Sequence, residues 1–237
     1  MNPSFKEIDV VILCGGQGTR LRPVVSDRPK SLAVFGDSTF LDILIETLKK
    51  SGFRRFILCV GYMKDQIEAR FKNREDVSIL FSEEEEPLGT GGALKNAQSL
   101  IQSETFVVLN GDSICNIDFS EFYRFHKNKN VILSMALVQT QDARDFGTVV
   151  LNEFHEIISF KEKESAKNSA LINAGIYFMQ KEILSQMPAM PRFSLENDFF
   201  PTMTGARCAG FIINSELIDI GTPERYEKAV HLIGGHK

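Results

Sequence analysis

Gly15-Gly16-Gln17-Gly18-Thr19 is followed by Arg20 and Arg22, and after a short polar segment by Pro29-Lys30. Glycines have no Cβ, so a loop built from them can bring backbone N–H groups close to an anion. Two arginines and a lysine then supply positive charge at fixed reach. That combination suits a polyphosphate. It is not the dinucleotide-binding fingerprint, because Leu21 stands where the third glycine belongs. Nor is it a P-loop, which needs Gly-Lys-Ser/Thr after four intervening residues. Gly-x-Gly alone reads equally well as an ordinary tight turn; Arg20, Arg22, Pro29 and Lys30 make the pattern specific.

Carboxylates able to hold a hard cation occur twice. Asn110-Gly111-Asp112 ends the apolar run 105–109, and Asp219 interrupts the apolar run 217–220. In open α/β sheets, ligands collect beyond the C-terminal strand ends, which suits Asp112 for Mg²⁺; a turn-forming Asp is the competing reading. Burying Asp219 without a partner or a metal would be costly.

Three further segments mix polar chemistry with backbone punctuation. Pro87-Leu88-Gly89-Thr90-Gly91-Gly92-Ala93-Leu94 opens a helix whose glycine-rich entry offers N–H groups to a flat or anionic ligand, or is simply a tight loop and cap. Asn173 and Gly175 inside the strand 172–177 imply a bulge or the close approach of a ligand. Ser194-Leu195-Glu196-Asn197-Asp198 begins a helix with Ser194 as N-cap, Glu196 being free to accept sugar hydroxyls. Phe160-Lys161-Glu162-Lys163 sets acid beside base, or is a charged strand end in water.

The elements that must position these residues follow from periodicity. Residues 10–13 form a buried strand emptying into the glycine loop. Residues 40–51 carry Leu41, Leu44, Ile45 and Leu48 at helical spacing and stop at Gly52. Strands at 56–60, 77–81 and 105–109 alternate with helices at 64–71 and 89–101, which implies a mostly parallel sheet flanked by helices. From Val131 the pattern changes to strands at 131–138, 147–151 and 156–161 with short turns. Such a β-rich section would carry a second substrate. Thr222 caps a last helix from Pro223 to about Leu232.

The chain of 237 residues, 43% hydrophobic and 24% charged, suffices for one large α/β domain. We expect a single domain over 1–237, with a first part at about 1–130 and a second at about 131–237. A net charge of −4 gives no field favouring nucleic acid or anionic membrane, so neither is expected as a partner. The start lacks the pattern of a signal peptide, and no apolar run approaches the length of a membrane span. Cys14, Cys59, Cys115 and Cys208 show no C-x-x-C spacing and read as buried free thiols. A cytoplasmic location fits these features.

Taken in order along the chain, these motifs resemble the sugar-1-phosphate nucleotidyltransferase family. The matches are G-G-Q-G-T-R-L-R-P…P-K, P-L-G-T-G-G-A-L, N-G-D, F-K-E-K, I-N-A-G-I-Y and D-I-G-T-P. One departure is Glu164, where many members have proline. The resemblance implies a Rossmann-like nucleotidyltransferase fold, with a nucleotide-binding part at about 1–130 and a sugar-phosphate-binding part at about 131–237, and the reaction of an NTP with a sugar 1-phosphate to give an NDP-sugar and pyrophosphate.

The same resemblance assigns roles. Arg20 would serve the triphosphate and transition state, Lys30 the α-phosphate and Lys163 the sugar 1-phosphate. Leu13, Gly15, Gly16, Gly18, Thr19, Gly89 and Thr90 would line the nucleotide. Gly147, Glu162, Asn173 and Glu196 would bind the sugar, and Asp112 and Asp219 would hold Mg²⁺. Within the family the pattern looks most like guanylyltransferases of D-glycero-D-manno-heptose 1-phosphate. Mannose-1-phosphate guanylyltransferases and muramic-acid-type uridylyltransferases share much of it. Guanine offers N1–H and N2–H₂ as a donor pair that a carboxylate among Glu83, Glu84, Glu85 and Glu86 could accept, the competing reading being a solvated acidic loop. From another class, a catalytically silent regulatory subunit would be expected to have lost Arg20, Lys30 or the metal acids. A homo-oligomer is possible.

Overall fold

The computed structural model describes residues 4–144, 146–161, 169–205 and 207–234. The first half alternates strand and helix. Strand β1 (Asp9–Leu13) leads through the glycine loop to a small hairpin, β2 (Val34–Phe35) and β3 (Ser38–Thr39), and helix α1 (Phe40–Lys50). Then come β4 (Arg55–Val60), α2 (Lys64–Phe71), β5 (Ser78–Glu83), α3 (Gly89–Asn96), β6 (Thr105–Asn110), β7 (Ser113–Ile114) and α4 (Phe119–Lys129). Strands dominate the second half: β8 (Leu133–Thr140), β9 (Thr148–Leu151), β10 (Ile157–Lys161), β11 (Ala170–Gln180), β12 (Cys208–Ile213) and β13 (Ile218–Asp219), closed by helix α5 (Pro223–Gly234).

β1 lies between β4 and β6, parallel to both, and β5 extends the parallel edge. β11 runs antiparallel to β6 and also pairs β8 and β9, while β12 lies parallel to β8. The result is a mixed, mostly parallel Rossmann-like sheet.

Period-two alternation decides which side chains meet which helices. Val10, Ile12, Phe56, Leu58, Val107 and Leu109 face the layer formed by α1, α2 and α4. Val11, Ile57, Phe106 and Val108 face α3 and the segment carrying Phe193, Phe199 and Phe200. Both faces are covered, which is why these strands read as continuous apolar runs. α1 begins at a capping box in which Thr39 and Asp42 satisfy each other's amides, and Gly52 ends it at φ +106°.

Helix α4 and strand β12 were not expected from the periodicity. α4 starts at Asp118, whose carboxylate accepts from the amides of Ser120 and Glu121, and stops at left-handed Asn130. The tail helix α5 docks on the β2–β3 hairpin, with Ala229 buried near Phe35 and Tyr226 set edge-on to the Phe35 ring. All four cysteines are buried free thiols, as read from the sequence. Among the described residues, no helix is long and apolar enough to cross a membrane.

Candidate active site

The glycine loop leaves β1 beside the C-terminal ends of β4 and β6, where Leu13 is in register with Cys59 and Asn110. Gly15 passes so close to the segment that follows β5 that a Cβ there would stand 2.7 Å from a carboxylate oxygen of Glu84. Gly18, at φ +58°, lets Lys30 pack against the loop, since a Cβ would meet the Lys30 Cβ at 2.9 Å. Lys30 sits on a single 3-10 turn and forms an ion pair with Asp112.

Asp112 and Asp219 come together through a two-stranded ladder. β13 pairs antiparallel with β7, Asp219 opposite Ser113, and the Ile220 amide donates to the Asp112 carbonyl at 3.0 Å. The Asp219 Oδ1 accepts from the Gly221 amide and from Arg225 Nη1, both at 3.0 Å. Arg225 also lies over the Phe146 ring, 4.5 Å from its centroid. The carboxylate that looked costly in an apolar strand therefore has a cationic partner.

Two cavities abut here. The first, about 260 Å³, is lined by Leu13, Gly15, Gly16, Lys30, Glu84, Gly89, Thr90, Asn110 and Asp112. The second, about 310 Å³, is lined by Arg20, Thr90, Asn110, Asp112, Gly147, Asn173, Glu196, Asp219 and Arg225. Thr90, Asn110 and Asp112 belong to both walls. A larger cavity of about 600 Å³ shares Phe146, Asp219 and Arg225 with the second. The charged groups around it are paired, Arg144 with Asp142 and Lys228 with Glu216.

The expected site residues thus gather in two groups. Leu13, Gly15, Gly16, Lys30, Gly89 and Thr90 line the first cavity, and Arg20, Gly147, Asn173, Glu196 and Asp219 the second, with Asp112 in both. Gly18 and Thr19 line neither; Gly18 shapes the loop under Lys30, and Thr19 is exposed. Glu162 and Lys163 lie outside the described residues.

Local hydrogen bonds explain the two groupings. In β11 the pairing slips between Asn173 and Tyr177, the bulge implied by an Asn and a Gly in the strand. Asn173 Oδ1 accepts from the Gly175 amide at 2.9 Å and its Nδ2 donates to the Tyr177 hydroxyl at 2.7 Å. Gly175, at φ +71°, fits against Asn110, whose Nδ2 would lie 2.7 Å from a Cβ. Ser194 caps its helical turn, accepting from the amides of Glu196 and Asn197, and the box is closed by Asp198.

The glycine-rich entry to α3 serves a different purpose from an anion cradle. The Gly91 and Gly92 amides both donate to the Phe193 carbonyl, at 3.0 and 3.1 Å. A Cβ on Gly91 would fall 2.1 Å from the Phe193 ring, and one on Gly92 2.3 Å from the Pro191 carbonyl oxygen. Those glycines let the chain around Pro191 and Phe193 lie on the helix. Of the two readings, the tight loop and cap holds at Gly91 and Gly92.

The acidic run divides sharply. Glu83 is exposed and ion-paired with Lys64, and Glu85 and Glu86 are exposed. Glu84 is half-buried in the first cavity, its Oε2 accepting the Leu88 amide at 2.9 Å, and desolvation raises its pKa above the ordinary carboxylate value. Arg225 and Phe146 were not singled out from the sequence, and Asn110 was given no role of its own; Phe146 meets Arg225 and Asn110 meets Gly175 only through distant parts of the chain.

A glycine loop, cations at Arg20 and Lys30, and two acids brought to a shared wall form one constellation. The Nucleotidyl transferase family profile matches residues 9–234. This chain belongs to that family. This nucleotidyltransferase is 38% identical over 220 residues to the D-glycero-alpha-D-manno-heptose 1-phosphate guanylyltransferase of Campylobacter jejuni, covering 92% of this chain and 97% of that one. It is 37% identical to the enzyme of the same name from Aneurinibacillus thermoaerophilus, covering 94% and 96%. The crystal structure of HddC from Yersinia pseudotuberculosis complexed with GMP-PN superposes with a TM-score of 0.84 at 36% identity, covering 95% of this chain and 99% of that one.

Proposed function

We propose that this nucleotidyltransferase transfers a guanylyl group from GTP to D-glycero-D-manno-heptose 1-phosphate, with Mg²⁺, forming a GDP-heptose for surface polysaccharide synthesis and releasing pyrophosphate. The observation that carries the reading is the pair of cavities meeting at Asp112. One is walled by the glycine loop and Lys30, the other by Arg20, Asn173, Glu196 and Asp219. The heptose and the guanine are supported by the names of the two relatives that match nearly end to end.

The reaction sets an oxygen of the sugar phosphate against the α-phosphorus of a triphosphate. Each close pair of like charges costs on the order of 4 kcal/mol at 4 Å with an effective dielectric of 20. Lys30 in the first cavity, paired with Asp112, and Arg20 in the second oppose that repulsion from the two sides and hold the reacting groups in line. Lys163, by the family resemblance, adds a cation on the sugar-phosphate side. No side-chain nucleophile is needed, because the sugar phosphate attacks directly.

The donor set fits Mg²⁺. Asp112 and Asp219 line one cavity, and magnesium is commonly held by one or two carboxylates together with substrate phosphates and waters. Lys30 engages Asp112 at Oδ2, and the contacts to Asp219 fall on Oδ1. The other oxygen of each carboxylate has no protein donor among the described residues. When bound, the ion would neutralise phosphate oxygens and align the displacement.

Base choice falls to Glu84. Its half-buried carboxylate stands beside Gly15 and accepts the Leu88 amide through Oε2, and it is the acid of the 83–86 run placed in the nucleotide cavity. A carboxylate is acceptor-only when ionised, matching guanine N1–H and N2–H₂ and rejecting bases that lack that donor pair. The test is turnover of GTP with the heptose phosphate by the purified protein, measured as pyrophosphate release. A catalytically silent subunit is disfavoured because Arg20, Lys30, Asp112 and Asp219 are all present.

A further inference from the structure

Thr90 lines both cavities, yet its hydroxyl is committed to the sugar side. Thr90 Oγ1 donates to Glu196 Oε2, and the same oxygen accepts from Ser194 Oγ at 2.8 Å. Thr90 Oγ1 in turn accepts the Leu195 amide at 2.9 Å. Both hydroxyls therefore pull on one oxygen of Glu196, and Oε1 has no protein donor among the described residues. Two residues before Thr90, at the N-cap of α3, the chain is held by Glu84, through the Leu88 amide at 2.9 Å. One turn thus joins the acid of the nucleotide cavity to the acid of the sugar cavity.

We propose that Thr90 is a positioning residue for the sugar phosphate: its hydroxyl fixes the Glu196 carboxylate toward the second cavity and makes sugar-phosphate affinity depend on the nucleotide-lined turn. This inference rests on the functional reading above, and on Glu196 as an acceptor of sugar hydroxyls. The physical argument is one of preorganisation. Without the two donors, Glu196 would sample several rotamers, and the sugar would have to order it on binding. Held in place, the carboxylate offers Oε1 at a fixed point. Because the hold runs through the 87–90 turn, a nucleotide that orders the turn strengthens sugar binding, and by linkage the sugar strengthens nucleotide binding to the same degree.

The test compares wild type with Thr90→Val, which removes the hydroxyl at nearly constant shape, and Thr90→Ser, which restores it. Thr90→Val is expected to raise the KM for heptose phosphate roughly tenfold, as for loss of a hydrogen bond to a charged group. Affinity for a GTP analogue in the absence of sugar should fall by less than the sugar KM rises, since the Thr90 hydroxyl is committed to Glu196, and Thr90→Ser should return the sugar KM to near wild type. In calorimetric titrations of heptose phosphate, a non-hydrolysable GTP analogue should tighten binding to wild type and not to Thr90→Val. Should Thr90→Val fail to fold, Thr90→Ala carries the same expectations. An unchanged sugar KM, a loss of sugar-free GTP-analogue affinity as large as the rise in the sugar KM, or coupling preserved in the variant would overturn the proposal. A folded wild type that neither binds nor turns over heptose phosphate would overturn the functional reading and this inference with it. Wild-type turnover with unaltered variants would overturn the inference alone.

Discussion

The amide of Ile220, the residue after Asp219, donates to the carbonyl of Asp112, so two acids 107 positions apart in the chain are fixed side by side at one cavity wall. The ladder of β7 and β13 holds this register with two residues on each side. Rigid backbone, not side-chain search, sets their separation. If these acids hold Mg²⁺, Asp219→Asn should lower kcat by about 100-fold at limiting Mg²⁺, a typical loss for a group acting on the transition state. A magnesium titration of initial rates checks this. Unaltered metal dependence in the variant would remove Asp219 from the metal site.

Glu84 supplies a sharper test of base recognition. Glu84→Gln keeps the shape and replaces one acceptor by a donor facing guanine. Activity with GTP should fall on the order of 100-fold in kcat/KM, because a buried donor pair loses its acceptor. Activity with UTP or ATP, already low, should change little. A parallel fall for every NTP would mean that Glu84 only supports the loop through Leu88.

The packing of α3 predicts a stability effect opposite in sign to helix propensity. Alanine in place of a helical glycine ordinarily gains about 1 kcal/mol. At Gly92, however, a Cβ would meet the backbone carbonyl of Pro191 at 2.3 Å, and backbone cannot rotate aside. Overpacking of this kind costs about 1–3 kcal/mol, so Gly92→Ala should be net destabilising. Urea denaturation measures it. A variant as stable as wild type would show that the 188–195 segment yields easily.

His126 sets part of the acid sensitivity. It is fully buried between Ser134 and Gln180, and desolvation pushes its pKa down to about 4. Gln180 Oε1 accepts from Thr105, so its amide donates to His126 Nε2 and the proton sits on Nδ1. The unfolded chain, with an ordinary histidine near 6.5, binds the proton more readily. Stability is therefore highest above about 6.5 and falls as pH drops toward 4, by roughly 2–3 kcal/mol from this group. Denaturation midpoints of wild type and His126→Gln, compared across that window, should differ in slope, the variant being flatter. Equal slopes would show that His126 is not the titrating group.

Much of the framework was legible because it depends on local pattern. The apolar runs of β1, β4 and β6 and the spacing of Leu41, Leu44, Ile45 and Leu48 announce their elements directly. Asp112 and Asp219 drew attention as carboxylates beside strand ends, Arg20 and Lys30 as cations following a glycine loop, and their roles came from the family resemblance. Helix α4 was not legible: Phe119, Phe122 and His126 face the core amid a polar, aromatic-rich sequence of weak helix propensity. Strand β12 opens on Cys208, Ala209 and Gly210, small residues that carry little strand signal until β8 pairs with them. The purpose of Gly91 and Gly92 depends on Phe193 and Pro191, and the burial of Glu84 depends on Gly15. Neither relationship is local, so a run of four glutamates looked uniform although Glu84 alone of them is half-buried in the first cavity.

The central claim is tested most directly by pyrophosphate release from the purified protein with Mg²⁺. Each NTP would be crossed with mannose, glucose, N-acetylated sugar and D-glycero-D-manno-heptose 1-phosphates. Release with GTP and the heptose phosphate, well above every other combination, is the predicted result. Release confined to another nucleotide or sugar, or silence across the panel from a folded protein, would contradict it.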